Sequence, residues 1–210
     1  MMTPRYSHVF FDLDGTLVDS SRDIAVSVNH VRQEMEMETL PEPLIQSYIG
    51  DGVEKLFHRA LGSDDPALIH RAITLWRPHY ENSCMVHTDF YPGIADLLRD
   101  LAASGACLSL LTNKPHRPTE IILDGFGVRG LFTAVVGGDS TPTRKPHPEM
   151  FEMALKISGA DRHGVIHVGD GHNDIKAPGI AESKPAGWHG VTVGTRRSRM
   201  RILWSGTRVN

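Results

Sequence analysis

Two carboxylates, Asp12 and Asp14, stand two residues apart at the end of a short apolar run, in Phe10-Phe11-Asp12-Leu13-Asp14-Gly15-Thr16-Leu17-Val18-Asp19-Ser20. If that run is a strand, alternation turns both acids toward one side, and like charges so close call for a cation. Hard oxygen donors of this kind suit Mg2+, which keeps several waters and takes one or two protein carboxylates beside a substrate phosphate. Gly15 and Thr16 follow in a sharp turn whose exposed N–H groups suit an anion, so both are assigned to substrate binding. Asp-Gly is also ordinary turn chemistry, and by itself the segment is a weak signal.

The other strand ends supply the context. Leu110-Leu111-Thr112-Asn113-Lys114 closes a second apolar run with a hydroxyl and an amide. A third run is followed by Gly137-Gly138-Asp139 and then by Arg144-Lys145-Pro146-His147-Pro148. A fourth ends in Val168-Gly169-Asp170-Gly171-His172-Asn173-Asp174. Each strand end thus carries a polar group fit for phosphate or metal.

Positioning these groups requires a particular frame. Apolar runs at about 6–11, 106–111, 133–136, 164–168 and 189–193 read as strands buried on both faces. Helical patterns separate most of them: Ile94, Leu97, Leu98 and Leu101 share one stripe, and weaker patterns cover 147–157 and 172–182. Such alternation predicts an α/β fold, a parallel Rossmann-like sheet flanked by helices with ligands at the carboxyl ends of its strands. From 21 to 90 the rhythm breaks, and the spacing predicts helices with no strand. A stretch of that length is too long for one crossover, so residues 21–90 are expected to form an inserted helical cap, with 1–20 and 91–210 as the catalytic core.

In order and separation the four segments resemble the motifs of the haloacid dehalogenase superfamily, and the tract Tyr48-Ile49-Gly50-Asp51-Gly52 resembles a cap loop of its phosphoglycolate phosphatases. The resemblance covers roughly residues 6–175. It implies that Asp12 attacks phosphorus to give an aspartyl-phosphate, and that Asp14 moves the proton as acid and then base. Thr112 and Asn113 would bind the transferring phosphoryl oxygens, and Lys145 would neutralise charge on phosphate and Asp12. A Mg2+ site would use Asp12, the main-chain carbonyl of Asp14, Asp170 and Asp174. Gly50, Asp51 and Gly52 would close over the leaving group. A plain helix-helix turn explains Gly-Asp-Gly equally well. The expected reaction is hydrolysis of a small phosphomonoester, with 2-phosphoglycolate first. A sugar phosphomutase and a non-catalytic scaffold on the same fold are the alternatives, and the presence of Asp12, Asp14, Lys145 and Asp170 speaks against the scaffold. A dehalogenase is disfavoured because it has no need of the acid Asp14.

Composition narrows the class further. Apolar residues at 40% and charged residues at 22% are those of a globular protein rather than a disordered one. Of 22 basic groups, five arginines lie in residues 185–210 without an acid, leaving 17 basic against 25 acidic groups, a net of -8, in residues 1–184. The tail with Arg196, Arg197, Arg199 and Arg201 is read as solvated, and no nucleic-acid or membrane partner is expected. A small phosphorylated metabolite is the expected partner of a monomer or homodimer. Cys84 and Cys107 are read as free thiols of a reducing compartment, and no leader or membrane span is evident, which predicts a cytoplasmic protein. Gly125-Phe126-Gly127-Val128-Arg129-Gly130 follows a helix and precedes a strand, the wrong context for dinucleotide binding. Arg77 and His79 are assigned to the cap surface, and His167 to core packing. Pro178 should interrupt the helix after Asp174, and the Arg-rich tail should weaken one sheet edge and lower stability.

Overall fold

Val9, Phe10 and Phe11 are all fully buried, the signature of a central strand covered on both faces. This computed structural model describes residues 7–171, 173–174 and, for the backbone, 191–192. Strand β1 (His8–Phe11) pairs in parallel with β4 (Cys107–Leu111) on one side and β6 (Val165–Gly169) on the other. Strand β5 (Phe132–Val136) extends the sheet beyond β4, and β7 (Val191–Thr192) extends it beyond β6. The order is β5-β4-β1-β6-β7, so the winding reverses at β1, where α/β sheets bind ligands. Register sets Phe11 beside Leu110 and Val168, which brings Asp12, Thr112 and Asp170 to one sheet edge.

Alternation sends Phe10 to one face, where it meets Met150, Phe151 and Ala154 of α7 (Glu149–Ser158); the Phe10 and Phe151 rings lie 5.2 Å apart. Val9 and Phe11 turn to the opposite face, into the cluster holding Ile94, Leu97, Leu98 and Leu101 of α5 (Ile94–Ala103) and Ile122 and Leu123 of α6 (His116–Gly125). The helical stripe read from the sequence is the buried face of α5. Gly125 closes α6, so the apparent dinucleotide motif is a helix end.

Between β1 and β4 stand α1 (Ser21–Glu34), α2 (Glu42–Gln46), α3 (Val53–Leu61) and α4 (Pro66–Ser83). They pack around Trp76, which donates to Ser27 Oγ at 2.8 Å, stacks on Tyr80 at 4.7 Å and meets the Phe57 ring edge-on. The expectation of no strand in residues 21–90 needs correction. β2 (Val18–Asp19) pairs antiparallel with β3 (Asp89–Phe90), so the two connections into the helical segment form a ladder of their own. Two residues are too few for a period-2 pattern, and the partner lies far along the chain. Asp23 ties the same junction from inside, accepting from the His87 and Thr88 N–H groups and the Thr88 hydroxyl. Among the described residues no helix is long and apolar enough to cross a membrane. The expected helix at 172–182, its Pro178, and the Arg-rich tail lie outside the described residues; of the run 189–193, Val191 and Thr192 are strand.

Candidate active site

Asp12 leaves β1 with its N–H donated to Val168 O at 2.9 Å, which fixes its carboxylate over the sheet edge. The residue is buried, and so is Lys145, carried by the loop after β5. A two-way clasp with Asn113 fixes that loop: Lys145 N–H donates to Asn113 Oδ1 at 2.9 Å and Asn113 Nδ2 donates to Lys145 O at 3.0 Å. The Lys145 ammonium then bonds Asp12 Oδ1 at 2.8 Å, Asp174 Oδ1 at 2.7 Å and Leu111 O at 2.7 Å. All three of its donors have an acceptor.

Asp174 is equally constrained, since Gly171 N–H donates to Oδ2 at 3.0 Å and His167 Nε2 lies 3.3 Å from Oδ1. Burial opposes its charge, but Lys145 and His167 outweigh burial and hold its carboxyl well below the usual range. At Asp12 burial wins over Lys145 and, helped by the Asp174 charge, pushes the carboxyl up to about 7. Burial and Asp174 also raise Asp170, whose Oδ1 accepts from Thr16 Oγ1 at 3.3 Å. Asp12, Asp170 and Asp174 each offer an oxygen within 4.8 Å of the others, a crowding of hard donors that fits a divalent cation. Gly15 makes this approach possible: at φ +83 it lies so near that a Cβ would sit 2.5 Å from Asp170 Oδ2.

The Asp14 carboxylate stands outside that group. It accepts from the Ser20 hydroxyl and from Lys114 Nζ, at 2.9 and 3.1 Å to its two oxygens. Thr112 is buried and also lines the cavity, with its hydroxyl accepting from Lys114 N–H at 3.2 Å. Asn113 differs from expectation. Its side chain is occupied by Lys145 and by Gly50 O, which accepts at 2.9 Å, so the amide assigned to phosphoryl oxygens instead joins three segments of chain.

Gly50, Asp51 and Gly52 roof the site. Asn173 Nδ2 bonds Asp51 Oδ1 at 2.9 Å, Arg59 holds the other Asp51 oxygen, and Arg144 pairs with Glu54 at 2.9 Å. The cavity beneath them, about 420 Å3, is lined by Asp12, Asp14, Lys114, Lys145, Asp170 and Asp174 and by Ile24, Leu56, Arg59 and Trp76. Sequence reasoning gave no role to Lys114, Ser20, Asn173 or Arg59, although the first three lie inside or beside the quoted motifs. Arg77 is exposed, His79 stacks on His30 at 3.9 Å, and neither lines the cavity. His167 does more than pack, because it touches Asp174.

A family model of haloacid dehalogenase-like hydrolases matches residues 9–186. A phosphoglycolate phosphatase of Nitrosospira multiformis is 38% identical over 180 residues, covering 83% of this chain and 79% of that protein. One from Colwellia psychrerythraea is 33% identical over 186 residues, with 85% and 82% covered. A crystal structure described as a predicted phosphoglycolate phosphatase of Haemophilus somnus superposes with a TM-score of 0.78 at 31% identity, covering 85% of this chain and 83% of that one. This chain belongs to the haloacid dehalogenase-like hydrolase family. Within that family its relatives place it among the phosphatases.

Proposed function

We propose that the chain is a Mg2+-dependent phosphatase that hydrolyses 2-phosphoglycolate through an aspartyl-phosphate on Asp12, with residues 21–90 as the cap over a core formed by 1–20 and 91–210. The observation that carries this reading is the convergence of Asp12, Asp170 and Asp174, with the buried Asp12 and Asp174 joined through Lys145. Asp12, Asp170 and Asp174, with the Asp14 main-chain carbonyl, would hold the cation. A Mg2+ ion held there would supply positive charge that reduces the repulsion of nucleophile and phosphate.

The Asp12 carboxylate forms the new bond to phosphorus as the bond to the leaving oxygen breaks, and Asp14 protonates that oxygen. Asp14 next takes a proton from the water that attacks phosphorus, and Asp12 is released. Lys145 holds Asp12 in line and offsets charge on the transferring group. Thr112 supplies a hydroxyl to the phosphoryl oxygens, and the turn at Gly15 and Thr16 supplies N–H groups. Because the Asn113 side chain is committed elsewhere, its contribution to phosphoryl binding falls to its main chain. Gly50, Asp51 and Gly52 exclude water above the ester. Free thiols at Cys84 and Cys107 support a reducing, cytoplasmic setting.

A screen of small phosphate esters with and without Mg2+ tests the reading. Phosphate release that needs Mg2+ and is fastest with 2-phosphoglycolate is expected. Folded protein that turns over no ester overturns it.

A further inference from the structure

The two buried ammonium groups in the cavity differ in one respect. Lys145 spends its donors on three separate acceptors. Lys114, also buried, directs its bonds at a single carboxylate, that of Asp14. Its other neighbour is Tyr80, whose ring centre lies 4.8 Å from Nζ. An ammonium has three N–H groups, and Lys114, lining the cavity, has Asp14 as its one carboxylate partner where Lys145 has two. Asp14 does not depend on it alone, because the Ser20 hydroxyl also bonds Oδ1.

We infer that Lys114 is the specificity-determining residue that receives a carboxylate on the leaving alcohol. The inference rests on the phosphatase reading of this site. Asp14 must reach the bridging oxygen of the ester in order to protonate it. In a phosphorylated 2-hydroxy acid a single carbon separates the carboxylate from that oxygen, so the carboxylate oxygens lie three bonds, about 3 Å, away. A group that touches Asp14 is therefore within reach of that carboxylate and of little else on so small a leaving group. Arg59, the other cation lining the cavity, is already taken by Asp51 and by Tyr48 O at 3.0 Å. Burial strengthens the ammonium–carboxylate contact, since water competes poorly there. A neutral leaving group would forgo that charged contact, the arrangement by which sites discriminate against analogues lacking a polar group.

Two esters of the same shape make the test: 2-phosphoglycolate and its uncharged carboxamide. With the wild-type chain and Mg2+, kcat/KM is expected to favour the acid by about 10- to 100-fold, the range of a charged hydrogen bond. In Lys114→Met that preference should collapse toward unity. Equal wild-type rates on the two esters overturn the inference without any variant, whatever the variant's folding. A preference that survives in Lys114→Met, with both esters slowed in proportion, also overturns it and leaves Lys114 as a support for Asp14. Hydrolysis of neither ester by the wild type overturns this inference and the phosphatase reading together, whereas hydrolysis without preference removes the inference alone.

Discussion

Replacing Lys145 by methionine keeps most of the side-chain volume and removes the charge between Asp12 and Asp174. Both carboxylates are buried, and both bond the ammonium at 2.7–2.8 Å. Breaking a buried pair by deleting one partner costs about 3–5 kcal/mol, because the remaining charge stays desolvated. In a chain of this size each kcal/mol moves Tm by about 2–4 °C, so Lys145→Met should melt about 6–20 °C below wild type. The deficit should depend on pH. Without Lys145 the Asp12 carboxyl, already raised by burial, holds its proton more tightly. Folded chains then bind more protons than unfolded ones, so stability falls as pH rises, and the deficit should be larger at about pH 8 than at about pH 6. Phosphate release at saturating ester should drop by about 100- to 1000-fold, the usual effect of losing one preorganised charge-stabilising donor. Differential scanning fluorimetry at the two pH values and a phosphate-release assay read both effects. A Tm within about 2 °C of wild type, equivalent to less than about 1 kcal/mol, would refute the claim that Lys145 compensates two buried charges.

Gly15→Ala places a methyl 2.5 Å from Asp170 Oδ2 at a left-handed φ, so Mg2+ affinity should weaken by at least about tenfold, read by calorimetric titration. An unchanged affinity would separate Asp170 from the cation. His167 is depressed by burial, against the pull of Asp174. Below its unfolded pKa of about 6.5 the unfolded chain binds the extra proton, so stability contributed by neutral His167 is present above that pH and lost as pH falls through it. His167→Asn should therefore flatten the fall in Tm between about pH 7.5 and pH 5.5, and an identical slope would show that His167 does not drive it. Asn113→Ala unties Lys145 from the Gly50 loop by removing three bonds, so it should raise KM and lower Tm together.

Much of this arrangement was legible because a parallel sheet places its chemistry in one predictable spot. Asp12, Thr112 and Asp170 each follow a mainly apolar strand, and parallel register brings them to one edge. The cap helices were legible through their 3.6-residue period, down to the buried Ala72 and Trp76 of α4. Contacts between distant segments were not. Nothing in the sequence marks Lys114, yet it is buried where Asp14 and Tyr80 approach from elsewhere in the chain. Asn113 carries the right functional group for a phosphate, and only three dimensions show that group already bonded to Lys145 and Gly50. The β2–β3 ladder escaped for want of length, and the role of Asp51 needed Arg59 and Asn173 to give it partners.

The central claim is that Asp12 becomes covalently phosphorylated. Acid quenching during turnover of 2-phosphoglycolate with Mg2+, followed by peptide mapping, should recover an acyl phosphate on the peptide containing Asp12 that hydroxylamine removes, and Asp12→Asn should give neither the adduct nor released phosphate. Mg2+-dependent turnover that proceeds without the adduct, or that persists in Asp12→Asn, would contradict the account.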